Sequence, residues 1–377
     1  MKKGWQMAAF SLVSLLLTLC FSSCSSSEKQ NFSEGKWAQS VKETSTQDLY
    51  APHEKEGRFF APWMEMGDKS FLDVLGWKLF STTNYTDPER TFLPRVLPDT
   101  AGRLKKNTGD FILWIGHNTF LIRVNGIYWL TDPIFSKRAL LPARLTPPAL
   151  TLAQFNALIS NDRKNNKPRK ALNILISHNH YDHLDRTSMT GLPASAVVFV
   201  PKGLKDYVTK MNKPQVNEMD WWETIDLGDG TRLICLPAQH WSLRINQGRN
   251  RSLWVSYLLI TPKATFYFGG DSGYFKGFRE FGQKFPNIDY AFMATTAYHP
   301  RWFMQYQHMN VEEAVRGFEE MGARYFIPTQ WGTFHLGSEP AGYPGLDLGR
   351  HIEKNQLNPD RFKIMDIGQI IPINGSK

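Results

Sequence analysis

A cluster of metal-binding residue types stands near the middle of the chain. His178, His180, Asp182 and His183 fall within six residues, in the pattern His-x-His-x-Asp-His. Neutral imidazole and carboxylate together suit zinc or iron better than calcium or magnesium. In an extended turn, the first two histidines lie on the same side and can bind one ion, whereas Asp182 and His183 lie beside a second ion close by. The stretch therefore predicts two neighbouring metal sites rather than a solvated polar loop.

The elements that position this cluster should be strands. Residues 171–176, directly before it, are apolar and rich in β-branched side chains, which is typical of a buried strand. Two further ligands are expected at strand ends, because two ions need donors from elsewhere in the chain. His240 and Asp271 follow the apolar runs 233–236 and 265–268. A carboxylate at position 271 can bridge both ions.

Upstream of the cluster, the pattern predicts strands at 111–115, 120–124 and 127–130. Asp132, at the end of the third strand, either orients a metal-binding imidazole through its second nitrogen or begins the turn at Pro133. His117, between the first two strands, either faces the site or stabilises a turn. Strands and helices alternate irregularly without an internal repeat, which predicts an α/β protein.

Composition narrows the class of protein. The chain has 377 residues, 42% of them hydrophobic, which is enough for a large core. The net charge of +9 is carried by scattered lysines and arginines rather than by a basic stripe, so we expect no nucleic-acid partner. The oligomeric state is left open by the sequence.

The beginning of the chain predicts export. Residues 1–23 combine two lysines with an apolar run, as in a secretory signal peptide, and the run is short for a membrane span. Small residues before Cys24 resemble a bacterial lipobox, which predicts lipidation of that cysteine. The polar residues 24–56 then predict a flexible tether. On this interpretation the protein is lipid-anchored in the bacterial cell envelope, at the periplasmic face or the outer membrane.

The remaining chain is predicted to form two parts. Residues 57–108 are an apolar, partly helical segment that packs on the main domain, with a helix-like pattern at 71–80. An alternative for this segment is one wall of a lipid-binding groove or a membrane-facing surface. Residues 109–377 form the catalytic domain.

These motifs together resemble the N-acyl-phosphatidylethanolamine-hydrolysing phospholipase D family of the metallo-β-lactamase superfamily. The resemblance extends from about residue 57 to about residue 340. The metal motif indicates the superfamily, whereas Pro-Arg-Trp-Phe-Met and Trp-Gly-Thr-Phe are specific to the family. The matching stretches lie at 130–136, 176–185, 220–223, 239–241, 270–274, 298–309 and 330–334.

The resemblance implies an αββα sandwich with two zinc ions, although iron or manganese is an alternative. One ion would be held by His178, His180 and His240, and the other by Asp182 and His183, with Asp271 as the bridge. The family has a histidine before Trp-Gly-Thr-Phe, but this chain has Gln330, which would be a weaker ligand. His335 is a candidate substitute. Catalysis would involve Asp182, Asp271 and His308, and the substrate would contact Arg301 and His308.

The implied reaction is phospholipase D-type hydrolysis of a membrane phospholipid by a hydroxide between the ions. Two other functions stay open at this point. One is a lactonase or other hydrolase of the same superfamily that acts on a small soluble substrate. The other is a lipoprotein that binds lipid without catalysis, in which Gln330 marks the decay of the second metal site.

Overall fold

The computed structural model describes residues 32–67, 69, 71–80, 84–165 and 172–373. The predicted signal peptide and the lipidation site Cys24 lie outside these residues. Among the described residues, no helix is both long and apolar enough to cross a lipid bilayer.

The strands run, in chain order, as β1 Glu54–Lys55, β2 Arg58–Phe59, β3 Phe111–Gly116, β4 Thr119–Val124, β5 Ile127–Thr131, β6 Leu172–Leu175, β7 Val197–Pro201, β8 Gln215–Met219, β9 Thr224–Gly228, β10 Thr231–Leu236, β11 Leu243–Arg244, β12 Gly248–Arg249, β13 Ser256–Ile260, β14 Thr265–Phe268, β15 Tyr290–Ala294, β16 Tyr325–Thr329 and β17 Ile370–Pro372. Two sheets dominate. One has seven strands in the order β17-β3-β4-β5-β6-β7-β8, and the other has six in the order β16-β15-β14-β13-β10-β9.

The helices are α1 Glu34–Glu43, α2 Phe71–Phe80, α3 Asp87–Thr91, α4 Thr100–Lys106, α5 Leu152–Asn165, α6 Arg186–Gly191, α7 Lys205–Thr209, α8 Gly277–Lys284, α9 Arg301–Met304, α10 Val311–Glu320 and α11 Tyr343–Lys354. Helix α10 shows how local sequence sets an element. Asn310 and Glu313 form a capping box at its start. Val311, Ala314 and Phe318 recur at helical spacing and are buried.

The largest apolar core lies between the two sheets. Trp114, Phe120 and Trp129 project into it from the seven-stranded sheet, and Phe120 meets Phe292 of β15 with ring centroids 4.9 Å apart. A second core covers the other face of the seven-stranded sheet, where Phe155 of α5 is fully buried. Helices therefore flank two facing sheets, and the predicted αββα sandwich is confirmed.

Strand direction brings the candidate ligands together. β5 to β8 are mutually parallel, as are β14 to β16. β3 runs in the direction of β5, and β10 runs in the direction of β14, because two antiparallel pairings separate the members of each pair. The loops that follow β3, β5, β6, β10, β14 and β16 consequently meet at one edge of the sandwich, which is the edge where such folds bind ligands.

The amino-terminal part differs from the predicted tether. Residues 34–43 form helix α1, and Val41 and Leu49 are buried in the main core. Trp37 Nε1 also donates a hydrogen bond to Glu313 Oε1 over 2.7 Å. A few apolar side chains in a polar stretch were enough to dock it on the domain, so the prediction of a flexible tether is wrong for these residues. The helix predicted at 71–80 is present as α2.

Candidate metal centre

The first group of candidate ligands lies after β6, β10 and β14 and consists of His178, His180, His240 and Asp271. One ligand atom from each lies within 4.8 Å of the others. His180 Nδ1 is 2.8 Å from His178 Nε2 and 3.2 Å from His240 Nε2. Asp271 Oδ2 is 3.8 Å from His178 Nε2 and 3.5 Å from His240 Nε2. Three imidazoles and a carboxylate that converge in this way are a donor set for zinc or iron.

The second group consists of His117, Asp182 and His183. Asp182 Oδ2 is 3.1 Å from His117 Nε2 and 3.3 Å from His183 Nε2. The other oxygen of Asp271, Oδ1, is 3.2 Å from His183 Nε2. Asp271 thus presents one oxygen to each group, which is the arrangement of a bridging carboxylate. Together these two groups are called the ligand cluster below.

Each of two histidine rings in the ligand cluster has its Nδ1 turned away from the cluster, towards a hydrogen-bond acceptor. His240 Nδ1 donates to the carbonyl oxygen of Gln307 over 3.1 Å, and His183 Nδ1 donates to Asp132 Oδ2 over 2.6 Å. His240 Nε2 therefore presents a lone pair to the ligand cluster, and His183 Nε2 also points into it. His183 Nε2 is buried without a hydrogen-bond partner among the described residues, although two carboxylate oxygens lie beside it. Ring nitrogens that converge with carboxylates in this way fit a bound cation.

The ionisation of the ligand cluster is also suited to metal binding. Burial lowers the pKa of His178 and of His240 well below the usual value. Burial would raise the pKa of Asp271 and Asp182, but His183 and the other imidazoles hold both well below their usual range. Burial would also lower the pKa of His183, but Asp271, Asp182 and Asp132 hold it well above its usual value, so a proton on this ring supplies the positive charge of the second group. Ionised carboxylates and the neutral imidazoles of His178 and His240 are the forms in which these side chains bind metals, and a metal at the second group would displace the proton of His183.

Asp132 lies behind the ligand cluster and is fully buried at the end of β5. Its Oδ2 accepts hydrogen bonds from Asn118 Nδ2 over 2.8 Å, Ser177 Oγ over 2.6 Å and His183 Nδ1 over 2.6 Å. Its Oδ1 accepts from the backbone N–H of Ser177 over 2.7 Å. The carboxylate therefore fixes both the ring of His183 and the start of the loop that carries the metal motif.

His308 lies at the mouth of the ligand cluster. Its ring centroid is 5.4 Å from that of His240, and it lines the same cleft as Asp182 and Asp271. Its Nδ1 is buried without a hydrogen-bond partner among the described residues, and burial lowers its pKa. A neutral imidazole with a free nitrogen is suited to contact a substrate in the cleft.

Arg301 lies elsewhere. Its guanidinium contacts Glu34 Oε1 at 2.7 Å and Glu313 Oε1 at 2.8 Å, and it donates to the carbonyl oxygen of His308 over 3.2 Å. It does not line the cleft. The structure therefore does not bring Arg301 to the cleft, since the guanidinium ties α9 to α1 and α10 and holds the backbone of His308 in place.

Glu339 anchors the segment before α9, because it accepts backbone hydrogen bonds from Tyr298 over 3.2 Å and from His299 over 3.1 Å. Burial raises the pKa of Glu339 to about 7. The folded protein therefore favours the neutral carboxyl of Glu339. The stability that this preference contributes is complete below about pH 4.5, the pKa of the same carboxyl in the unfolded chain, and is lost as the pH rises through about 7. Between these limits we expect the wild type to lose about 3 kcal/mol of unfolding free energy relative to Glu339→Gln. Urea denaturation of both proteins measures this, and parallel pH profiles would contradict it.

A cleft of about 470 Å³ opens beside the ligand cluster. Its lining is mainly apolar and includes Trp77, Leu140, Leu141, Ile245, Phe303 and Met304. Leu141 is 77% exposed and Ile245 is 66% exposed, on two loops that flank the cleft. An apolar passage thus connects the ligand cluster with apolar side chains on the surface.

Position 330 and its neighbourhood contain the remaining predicted residues. Gln330 is buried after β16, and its Nε2 donates to Asp271 Oδ1. His335, the candidate substitute ligand, is exposed, and the structure does not bring it into either ligand group. His117, considered above only as a residue that faces the site or stabilises a turn, belongs to the second group.

Sequence reasoning missed several residues that support the site. Gln307 accepts from His240 through its backbone oxygen, which any residue type could do, so no sequence signal marks it. Asn118 bonds Asp132, and only its position next to His117 hinted at this. The exposed Leu140 and Leu141 had a signal, an apolar pair within a polar, proline-containing connection.

The chain is similar in sequence to a known protein superfamily and to several known proteins. Residues 128–331 match the model of the beta-lactamase superfamily domain. An N-acyl-phosphatidylethanolamine-hydrolyzing phospholipase D 1 of Caenorhabditis elegans is 31% identical over 290 residues, which cover 72% of this chain and 78% of that protein. An uncharacterized protein of Mycobacterium tuberculosis is 32% identical over 292 residues, which cover 74% of this chain and 72% of that protein.

Among solved structures, a Veillonella parvula protein described as a possible metal-dependent hydrolase superposes with a TM-score of 0.57. The match covers 71% of this chain and 100% of that one, at 16% sequence identity. This likeness concerns the fold alone.

Proposed function

We propose that this chain, which belongs to the beta-lactamase superfamily and within it to the N-acyl-phosphatidylethanolamine-hydrolysing phospholipase D-like family, cleaves the phosphodiester bond of N-acylated ethanolamine phospholipids. The chain is a metal-dependent hydrolase. The observation that carries the substrate proposal is the apolar cleft, which extends from Asp182 and Asp271 to the exposed Leu141 and Ile245. Acyl chains need such a passage, whereas a small polar substrate does not.

Two divalent cations, which we propose to be zinc with iron or manganese as alternatives, fit the donor set of the ligand cluster. Bound there, they would supply a nucleophile from water at neutral pH and would neutralise negative charge on a phosphoryl group. The residues that would hold them are His178, His180 and His240 for the first, Asp182 and His183 for the second, and Asp271 for both.

The chain's own residues then position the lipid. The apolar wall receives the acyl chains, and His308 Nδ1 offers a hydrogen bond to the head group. In the proposed reaction an oxygen of water bonds to phosphorus, and the bond from phosphorus to the ethanolamine oxygen breaks. That oxygen takes up a proton from water. The products are phosphatidic acid and an N-acylethanolamine.

Substrate comparison tests this proposal. The purified holoprotein is given N-acyl-phosphatidylethanolamine in vesicles, a soluble aryl phosphodiester and an acyl-homoserine lactone, and products are followed by mass spectrometry. We expect the vesicle lipid to be hydrolysed at least about 100-fold faster, as measured by kcat/KM. Faster turnover of the lactone would instead identify a hydrolase of soluble substrates. Lipid binding without turnover of any substrate would identify a non-catalytic lipoprotein.

We expect the two exposed loops that flank the cleft to contact the lipid bilayer. Leu141→Asp replaces an exposed apolar side chain with a charge, so we expect hydrolysis of vesicle lipid to fall about tenfold. Hydrolysis of a short-chain, monomeric N-acyl lipid should be unchanged. Leu227→Asp is the matched control, because Leu227 is also exposed but does not line the cleft. Equal losses in both variants, or on both substrates, would contradict a role in bilayer contact.

Export and lipidation at Cys24 form the remaining part of the proposal. A lipid anchor near the amino terminus would keep the cleft at the membrane of the cell envelope, where its substrate lies. Full-length protein carrying Cys24→Ser should then leave the membrane fraction of the producing bacterium, and unchanged membrane recovery would refute the anchor.

A further inference from the structure

The side chain at position 330 is poorly placed to bind a cation. Gln330 Nε2 donates to Asp271 Oδ1 and, over 3.4 Å, to the carbonyl oxygen of Gly270. Turning the amide around would set its oxygen against these two acceptors. The amide nitrogen has no lone pair for a metal, and the amide oxygen, which is buried without a hydrogen-bond partner among the described residues, is a weaker ligand than an imidazole. The second ligand group therefore calls for an imidazole from another residue.

His117, in the turn between β3 and β4, is placed to supply this imidazole. Its backbone has φ +53°, in the left-handed region. The turn is held by its N–H, which donates to Thr333 Oγ1 over 2.8 Å, and by its carbonyl oxygen, which accepts from Trp114 Nε1 over 2.9 Å and from the N–H of Gln330 over 3.1 Å. The ring is fully buried. These contacts fix the position of the imidazole before any ion binds.

The orientation of the ring shows which nitrogen is available. His117 Nδ1 lies 3.2 Å from the carbonyl oxygen of Gln330, which can only accept, so this nitrogen carries the proton. His117 Nε2 then has a lone pair, and it faces Asp182 Oδ2 at 3.1 Å. Two acceptors at that distance need a positive charge between or beside them. A metal-ligating histidine commonly donates its other N–H to a backbone carbonyl in this manner.

We propose that His117 is the third protein side chain of the second metal site, beside Asp182 and His183, and that it supplies the imidazole which position 330 lacks. Gln330 keeps two positioning contacts: its side chain orients Asp271, and its backbone oxygen orients the ring of His117. The inference deepens the proposed function, because that function uses two cations. It replaces the expectation that glutamine at position 330 leaves the second site weak with the proposal that His117 completes this site.

Metal binding tests the inference without any substrate. Apoprotein is titrated with Co²⁺ and Zn²⁺, and ions per chain, dissociation constants and the Co²⁺ absorption spectrum are recorded. The variants are His117→Asn, Gln330→Ala and the double change His117→Asn with Gln330→His. Asparagine tolerates the left-handed backbone of position 117 but is too short to reach Asp182.

We expect about two ions per wild-type chain. A ligand should contribute more than the ten- to hundredfold that supporting residues contribute, so His117→Asn should weaken the second site by about 100-fold or more. Gln330→Ala should weaken it by about tenfold at most, and the double variant should regain the second ion. Thermal unfolding of each apoprotein separates these effects from misfolding, and Gln330→Ala, which keeps His117, serves as the second test if His117→Asn is unstable.

The inference is overturned if the wild type binds one ion, or if His117→Asn binds the second ion as tightly as the wild type. It is also overturned if Gln330→Ala, rather than His117→Asn, loses that ion. In these cases His117 and Asp182 form only an ion pair. Failure of the proposed function gives a different result, since the protein would bind two ions through His117 yet leave the lipid phosphodiester intact.

Discussion

Asp271→Asn is expected to reduce kcat on the lipid phosphodiester by about 1000-fold or more. Asp271 presents Oδ2 to the first ligand group and Oδ1 to His183, so the substitution removes the charge that both groups share. It also places an amide N–H₂, which cannot bind a metal, where a carboxylate oxygen faced the ligand atoms. Since the cations provide the charge stabilisation on which the reaction depends, a loss of several kcal/mol of transition-state stabilisation follows.

The matched control for this prediction is Asp289→Asn. Asp289 is also buried beside the six-stranded sheet, but it lies directly before β15, at the opposite end of these strands, where it accepts from the N–H of Thr265 over 2.9 Å. The control should keep its activity and its metal. Metal content and circular dichroism of both proteins complete the comparison. Full activity in Asp271→Asn, or equal losses in the two variants, would refute the assignment of Asp271.

Asp132→Ala is expected to have the second large effect, on stability and metal affinity together. The substitution leaves the donors of Asn118, Ser177 and His183 without their buried acceptor. Breaking such a network costs about 3 to 5 kcal/mol of unfolding free energy. Release of the His183 ring should weaken metal binding by about 10- to 100-fold. Urea denaturation of the apoprotein and metal titration measure the two effects separately.

Asp185→Ala provides the comparison for that prediction. Asp185 caps α6 by accepting from the N–H of Ser188 over 3.1 Å, and it contacts no imidazole of the ligand cluster. Its loss should cost about 1 kcal/mol of stability, as expected for a helix cap, with metal affinity unchanged. If Asp132→Ala resembled Asp185→Ala in metal affinity, Asp132 would have a purely structural role.

Much of the site could be predicted because it depends on local order. The metal motif follows directly after β6, and His240 and Asp271 also follow apolar strands, so periodicity and residue type were enough to group them. Strands with a clear apolar pattern, such as β4 and β14, were placed to within a residue. β15 and β16 were not predicted, although they position the segment of His308 and Gln330.

The rest depended on contacts between distant parts of the chain. Arg301 has the residue type of a phosphate ligand, and only its ion pairs with Glu34 and Glu313 identify its structural role. Glu34 itself lies in a stretch whose polar composition predicted no fixed structure. His117 stands 213 positions from Gln330, and the hydrogen bond between them follows from the packing of two sheets rather than from any pattern within one segment.

The most direct test of the central claim is the fate of oxygen from water. N-acyl-phosphatidylethanolamine in vesicles is hydrolysed by the holoprotein in H₂¹⁸O, and the masses of both products are measured by mass spectrometry. Attack of a water oxygen on phosphorus predicts one ¹⁸O in phosphatidic acid and none in the N-acylethanolamine. Label in the N-acylethanolamine or in a released fatty acid would contradict phosphodiester cleavage at phosphorus, as would the absence of both products.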